Sequence, residues 1–233
     1  MALPDHALIM ADWEFAILPG SAGLPRPVFD IRTVGIGLSP SDPAYDAYET
    51  TQGTSIAWGD EWRFAKEPPA ELRSLIWEVP ERNAPGMSAH LPPPQPATLG
   101  LLRMGTHIDI PVVRDFTPER LLCRREGAPA ADSAYEVAPG LCILAAGNTW
   151  CGWALLRPLD ALKGGPAPPS LGPLVTRWCA LVSDDTLDAL YDRDGALHAE
   201  IARLRDEIRA LSHPAAEGVA AYVDRVLENF YGP

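Results

Sequence analysis

The sequence has 233 residues, a hydrophobic share of 47% and a formal net charge of −12 at pH 7. A chain of this length can bury a sizeable core as one large domain or two small ones. Its densest basic run is only Arg120, Arg124 and Arg125, so binding to nucleic acid or to an anionic membrane would lack electrostatic support and we expect neither partner.

The N-terminus and the cysteines indicate the compartment. The first basic residue is Arg26, so the chain lacks the positively charged start of a secretory signal. No apolar run approaches the roughly 18 to 20 residues of a membrane span. The four cysteines show no C-x-x-C spacing and are too sparse for a disulfide framework. We therefore expect a soluble cytoplasmic protein with free thiols.

Three strands are predicted in the first quarter of the chain, over residues 7–18, 28–38 and 54–64. Gly35 and Gly37 could begin a dinucleotide-binding fingerprint, but Pro40 occupies the place of its third glycine. The sequence also lacks a P-loop, a G-x-S-x-G elbow and an H-E-x-x-H motif. We expect no cofactor.

An acidic stretch without a cation lies between Arg32 and Arg63. Its spacing is not that of a calcium-binding loop, and a solvated acidic loop is the simpler interpretation. The acidic residues within it are Asp42, Asp46, Glu49, Asp60 and Glu61. After it, Glu67-Pro68-Pro69 predicts the start of a short helix that places Leu72, Leu75 and Ile76 on one face and ends at Pro80.

A Pro-rich segment over residues 83–96 is the best candidate for an internal break, since it should form extended polyproline outside any sheet interior. Strands are predicted over 97–104 and 106–113, interrupted at Gly105. Thr117-Pro118-Glu119 has the capping residue, proline and acid of a helix start, which predicts a helix carrying Leu121 and Leu122.

A hairpin is predicted over residues 141–156, because Gly147-Asn148 joins two apolar runs. Tight pairing would place Leu144 opposite Cys151 and Cys142 opposite Trp153. Both faces are apolar, so the hairpin should be central and covered on both sides.

The C-terminal part reads as helical. Residues 161–173 form a Gly/Pro-rich linker, and helices are predicted over 174–233, with Ser183 as a cap. Leucine and isoleucine then repeat at alternating spacings of four and three, at positions 197, 201, 204, 208 and 211. The last helix carries a similar stripe, so the two should form an antiparallel helical hairpin. The predicted fold is α+β, with a mixed or antiparallel sheet domain over residues 1–160.

Two clusters could carry chemistry. His107 and Asp109 share a face of a predicted strand, as a general base and its partner or as two metal ligands would. Cys151 is a further candidate catalytic residue. Cys142 and Cys151 share a face in the predicted register, so with His107 or Cys179 they could bind a metal. The alternatives are a structural hydrogen-bonded pair and buried thiols, and no metal site is predicted.

Two functional hypotheses follow. The first is a non-catalytic accessory or adaptor protein that contacts a protein partner or forms a homo-oligomer through Tyr222, Leu227 and Tyr231. The second is a small-molecule enzyme or binding protein, with a pocket near the 141–156 hairpin and the pair His107 and Asp109. Whether the protein is an enzyme stays open at this point.

Overall fold

The structure, a computed structural model, describes residues 7–20, 23–36, 51–54, 60–65, 70–87, 90–106 and 110–232. It is an α+β fold, as the sequence predicts. The strands of this part are β1 Ala7–Met10, β2 Trp13–Pro19, β3 Val28–Phe29, β4 Thr33–Ile36, β5 Thr51–Thr54, β6 Glu61–Ala65, β7 Ala70–Glu78, β8 Pro94–Arg103, β9 Val112–Thr117, β10 Arg120–Arg125, β11 Ser133–Ala138, β12 Leu141–Ala146 and β13 Thr149–Leu156. The helices are α1 Leu171–Leu181, α2 Leu187–Tyr191, α3 Gly195–Arg209 and α4 Pro214–Tyr231.

Six strands close into a barrel in the order β11, β12, β13, β1, β2, β8 and back to β11. The closing contact is a parallel pairing between Ala134–Glu136 of β11 and residues 94–96 of β8. The prediction that the Pro-rich segment stays outside the sheet is therefore wrong at its C-terminal end. Proline keeps its carbonyl acceptor, and Pro96 accepts a hydrogen bond from the Gly20 N–H at 3.2 Å.

Two further groups of strands extend from the barrel. The β9–β10 hairpin pairs with β13 through β10. The strands β3, β4, β5 and β6 assemble around β7, whose first residues pair with β8 at Ala70 and Glu71. The segment after β7 then runs beside β9, where Asn83 forms a parallel bridge with Arg114. This arrangement leaves a cleft between β7, β9 and β13.

Two predicted helices are strands in the structure. Leu72 and Leu75 are both buried, but they belong to β7. Its pairing with β6 shifts register at this point, since Phe64 pairs with Leu72 and Arg63 with Ser74. The extra residue of this irregularity spaces two buried leucines by three, which imitates the period of a helix.

The predicted helix after Thr117 is also a pair of strands in the structure, the β9–β10 hairpin. Thr117 does use its hydroxyl as a cap, accepting a hydrogen bond from the Arg120 N–H at 3.2 Å, but the cap closes a turn at residues 118–119. The predicted strands over 7–18 and 28–38 are each split into a hairpin, β1–β2 and β3–β4.

The 141–156 hairpin is confirmed, and both of its strands are buried on both faces. Its predicted register is wrong beyond Trp150: Ala145 pairs with Trp150, but Leu144 pairs with Gly152 and Cys142 with Ala154. Cys151 is the extra residue of a bulge. Trp153 therefore lies opposite Ile143, away from the face that Cys142 occupies.

Gly152 explains why β13 tolerates this irregularity. Its φ is +149°, and a Cβ atom there would lie 2.1 Å from the carbonyl oxygen of Cys123 in β10. Only glycine allows the backbone of β10 to approach β13 this closely.

The C-terminal helices form the predicted hairpin. Ile201, Leu204 and Ile208 of α3 are fully buried, and Val219 and Val223 of α4 are buried with them. Arg209 at the end of α3 pairs with Asp224 of α4. Ser183 forms the predicted cap, in a capping box with Thr186 that begins a short 3₁₀ turn. The repeated leucines and isoleucines of α3 therefore pack against α4 of the same chain.

One hydrophobic cluster includes both sheet and helix residues, from Leu8 to Leu227. The division of the chain at the 161–173 linker stays a prediction. Among the described residues, no helix is both long and apolar enough to cross a bilayer.

A buried arginine joins the sheet to the helices. Arg114 of β9 is 4% exposed. One terminal nitrogen, Nη2, donates to the carbonyls of Cys179 at 2.9 Å and Val182 at 2.7 Å, and its Nε donates to Asn83 Oδ1 at 2.8 Å. These carbonyls lie at the C-terminal end of α1, which lacks intrahelical donors and carries the negative end of the helix dipole.

We expect Arg114→Leu to lower the free energy of unfolding by about 3 kcal/mol, because the Val182 carbonyl and Asn83 Oδ1 lose their donor and the Cys179 carbonyl loses one of two. The matched control is Arg82→Leu, which removes an exposed arginine paired with Glu126 and should cost less than about 1 kcal/mol. Urea denaturation of both variants measures the difference. Equal losses would contradict a structural role for Arg114.

Candidate functional site

The cleft between β7, β9 and β13 has a volume of about 580 Å³, within the range of small-molecule sites. We call it the Trp cleft, after Trp77, Trp150 and Trp153 in its lining. The remaining residues that line it are Met10, Arg32, Asp60, Glu78, Val79, Pro80, Glu81, Ile110, Pro111, Val112 and Asp184.

The tryptophans form an ordered wall of this cleft. Trp77 of β7 and Trp153 of β13 stack with ring centroids 5.1 Å apart and ring planes within 12°. The bulge at Cys151 shifts the register of β13. This shift places the Trp153 side chain on the face of β13 that meets Trp77. The indole N–H of Trp150 is buried and has no hydrogen-bond partner among the described residues. A buried donor of this kind is costly unless something accepts from it.

Asp60 is the most perturbed carboxyl group of the cleft. It precedes β6, and its Oδ1 accepts a hydrogen bond from the Glu78 N–H at 3.0 Å. Burial raises its pKa from an ordinary 3.8 to about 7, and the nearby negative charge of Glu78 adds to this effect. The interpretation of Asp60 as part of a solvated acidic loop is therefore wrong. Its neighbours Asp42, Asp46 and Glu49 lie outside the described residues.

Arg32 lies at the rim and is bound to Glu78. Its Nε and Nη2 both donate to Glu78 Oε1, at 3.0 and 2.8 Å, and the hydrogen bonding to Glu78 raises the pKa of Arg32. Glu78 thus has its counter-ion. Asp60, Glu81 and Asp184 form no ion pair with a cation in the described part of the chain.

The residues singled out from the sequence are distributed differently. His107 and Asp109 lie outside the described residues, so their pairing stays a prediction. The structure separates Cys142 from the Trp cleft: it packs with Leu122, Leu144 and Ala154 in a small second cluster. Burial raises its pKa to about 12, which keeps the thiol protonated.

Cys151 is buried at the bulge, and its thiol donates to the Thr149 carbonyl at 3.6 Å. Burial raises its pKa, although Arg124 and Arg125 oppose the shift. Burial also raises the pKa of Cys179, which lies in α1. A protonated thiol is neither a nucleophile nor a metal ligand. Within the described residues, no group of three or more His, Cys, Asp or Glu could hold a metal ion.

The three predicted partner-contact residues all contact other parts of the chain. The ring of Tyr222 lies edge-on to Trp178, with centroids 5.7 Å apart. Leu227 is 8% exposed, and the Tyr231 ring lies 4.6 Å from the ring of His198. Their role towards a partner stays a prediction.

Sequence reasoning missed Asp60 and the pairing of Trp77 with Trp153. The cleft brings together segments near residues 32, 60, 77, 111, 152 and 184, and no local motif connects them. The sequence contains seven tryptophans, and this number is the signal that could have indicated an aromatic wall. Comparison with protein-family models gives no match, and comparison with the curated proteins gives none either.

The pKa of Asp60 has a consequence for stability. Because the folded pKa is raised above the unfolded one, the unfolded state releases this proton first as pH rises. Stability should therefore fall between about pH 4 and about pH 7, by an amount on the order of 4 kcal/mol at most. Asp60→Asn keeps the acceptor oxygen and cannot ionise, so it should remove this loss.

Thermal unfolding of wild type and Asp60→Asn across that pH range checks the expectation. The control is Asp184→Asn at the exposed rim of the same cleft, which should change stability by less than about 0.5 kcal/mol. Parallel pH profiles for wild type and Asp60→Asn would show that the carboxyl group is not perturbed.

Proposed function

We propose that the protein binds a small organic molecule in the Trp cleft. The observation that carries the proposal is a cavity of about 580 Å³ with stacked indoles on one side and a half-buried carboxyl group, Asp60, in its lining. Cavities that combine an apolar wall with a few convergent polar groups and a perturbed titratable group are the usual form of ligand sites. This agrees with the second of the two hypotheses from the sequence, a pocket near the 141–156 hairpin.

The lining indicates the general character of the ligand. The aromatic and aliphatic residues of the lining favour a ligand with an apolar body. Trp150 is part of this lining, and its indole N–H is fully buried, so a ligand contacts the ring and not the donor.

A fragment library screened by ligand-observed NMR tests the proposal, with Trp150→Phe as the variant. The smaller phenyl ring changes the wall of the cleft and should weaken fragment binding by about tenfold. The matched control is Trp62→Phe, because Trp62 also carries a buried indole N–H without a partner in the described residues but does not line the cleft.

Both substitutions replace a buried indole with a phenyl ring and should cost similar stability, so folding alone cannot explain a difference between them. Binding that is weakened in Trp150→Phe and retained in Trp62→Phe supports the Trp cleft as the site. No binding fragment, or equal effects of the two substitutions, would count against it.

A second candidate is the adaptor function, for which a surface observation exists. Tyr191 at the end of α2 is 69% exposed, and its ring lies edge-on to Phe230 of α4 with centroids 5.3 Å apart. Tyr231, one of the predicted contact residues, follows directly. An exposed tyrosine that packs on a half-buried phenylalanine near the C-terminal end of α4 suits a second copy of the chain.

Light scattering on the purified protein tests this candidate. We expect a concentration-dependent dimer that Tyr191→Ser weakens. The control is Arg193→Ser, an exposed polar change two residues away, which should leave the dimer intact. A monomer at all concentrations would exclude self-association through this surface.

A further inference from the structure

The charges that line the Trp cleft are unequal. Arg32 is the one cation among the described lining residues, against four carboxyl groups: Asp60, Glu78, Glu81 and Asp184. Arg32 is committed to Glu78 through two N–H groups. The other three carboxyl groups have no cationic partner in the described part of the chain. A ligand with a positive charge would therefore offset the excess of negative charge in the cleft.

The aromatic wall is closely packed. Trp77 and Trp153 stack on each other, and they are 1% and 2% exposed. Trp150 is 5% exposed. Little side-chain freedom is left to lose when a ligand binds, which favours affinity.

Asp60 is the carboxyl group best placed to meet such a cation. Asp60 is the most enclosed of the three carboxyl groups without a cationic partner, whereas Glu81 and Asp184 are exposed at the rim. One of its oxygens accepts from the Glu78 backbone at 3.0 Å, which fixes the group while lone pairs remain for a ligand.

We propose that the ligand of the Trp cleft carries a protonated amine, which binds beside Asp60. This inference rests on the proposed function of the cleft. It specifies the charge of the ligand, which a small-molecule site alone does not.

Binding of an amine is then coupled to the ionisation of Asp60. The carboxylate form binds the ammonium group, and a proton on Asp60 competes with it. Glu78 of β7 acts on the charge of Asp60, and the other charged groups that line the cleft are Glu81 after β7, Arg32 at the rim and Asp184 of the 3₁₀ turn. The Cys123 thiol of β10 lies within the electrostatic reach of Asp60. Burial raises the pKa of Cys123 well above its ordinary value, so that thiol stays neutral and does not contribute a competing charge.

Three probes of similar shape and different charge test the proposal: phenethylamine, 2-phenylethanol and phenylacetate, each titrated by calorimetry. Phenethylamine should bind at least about tenfold more tightly than the alcohol at about pH 8, and phenylacetate should bind most weakly. From about pH 6 to about pH 8 the affinity for phenethylamine should rise about tenfold, since the ionised fraction of a group with a pKa of about 7 rises by that factor.

Asp60→Asn should weaken phenethylamine binding and make it independent of pH in this range, while binding of the alcohol stays unchanged. The matched control is Glu81→Gln, which removes one rim charge. It should cost less than about threefold and keep the pH dependence. The charge series and the pH profile of the wild type test the proposal even if a variant does not fold.

The outcomes separate this inference from the proposed function. Tighter binding of the alcohol or of phenylacetate, or an affinity for phenethylamine that does not rise with pH, overturns the amine assignment. In those cases the Trp cleft stands as a binding site if Trp150→Phe still weakens the bound probe. Library hits that are neutral or anionic, with none of the three probes bound, overturn the amine alone, and the absence of any binding compound overturns both.

Discussion

The guanidinium group of Arg114 is the interaction on which the arrangement of this protein depends. It connects β9, the segment after β7 and the end of α1 by donating to three acceptors, the Asn83 side chain and the carbonyls of Cys179 and Val182. Asn83 strengthens the contact, because its amide donates to the same Cys179 carbonyl at 2.6 Å. The free energy of burying one delocalised cation is offset by hydrogen bonds to groups that need donors.

The Trp cleft lies next to this centre along three segments of chain. Val112 lines the cleft two residues before Arg114, Glu81 lines it two residues before Asn83, and Asp184 lies two residues after Val182. Since Arg114 fixes all three neighbours, it also fixes one side of the cleft. The other side is fixed by a chain of aromatic contacts that runs from Trp13 through Phe15, Trp62 and Trp77 to Trp153. The cleft is thus pre-formed between two rigid parts of the core.

Local signals in the sequence predicted local structure. Three predicted features depend on neighbouring residues, and each is present: the turn at Gly147-Asn148, the cap at Ser183 and the apolar stripe of α3. The failures share a cause, which is that a tertiary contact changes the meaning of a local pattern. Leu72 and Leu75 have helical spacing because of an irregularity in the pairing of β7 with β6, and Thr117 caps a turn instead of a helix. Neither pairing is visible without the partner strand.

The sequence predicted the approximate location of the candidate site, near the 141–156 hairpin, but not its polar residues. Asp60 shows why. In the sequence it is one of several acids without nearby cations, which is the usual pattern of a solvated loop. Its enclosure depends on a tertiary contact, because the Glu78 N–H that it accepts from belongs to β7. An asparagine at position 60 could accept the same hydrogen bond from the Glu78 N–H without the cost of ionisation near neutral pH. Stability therefore gives no reason for a carboxyl group at this position, whereas recognition of a cation in the cleft does.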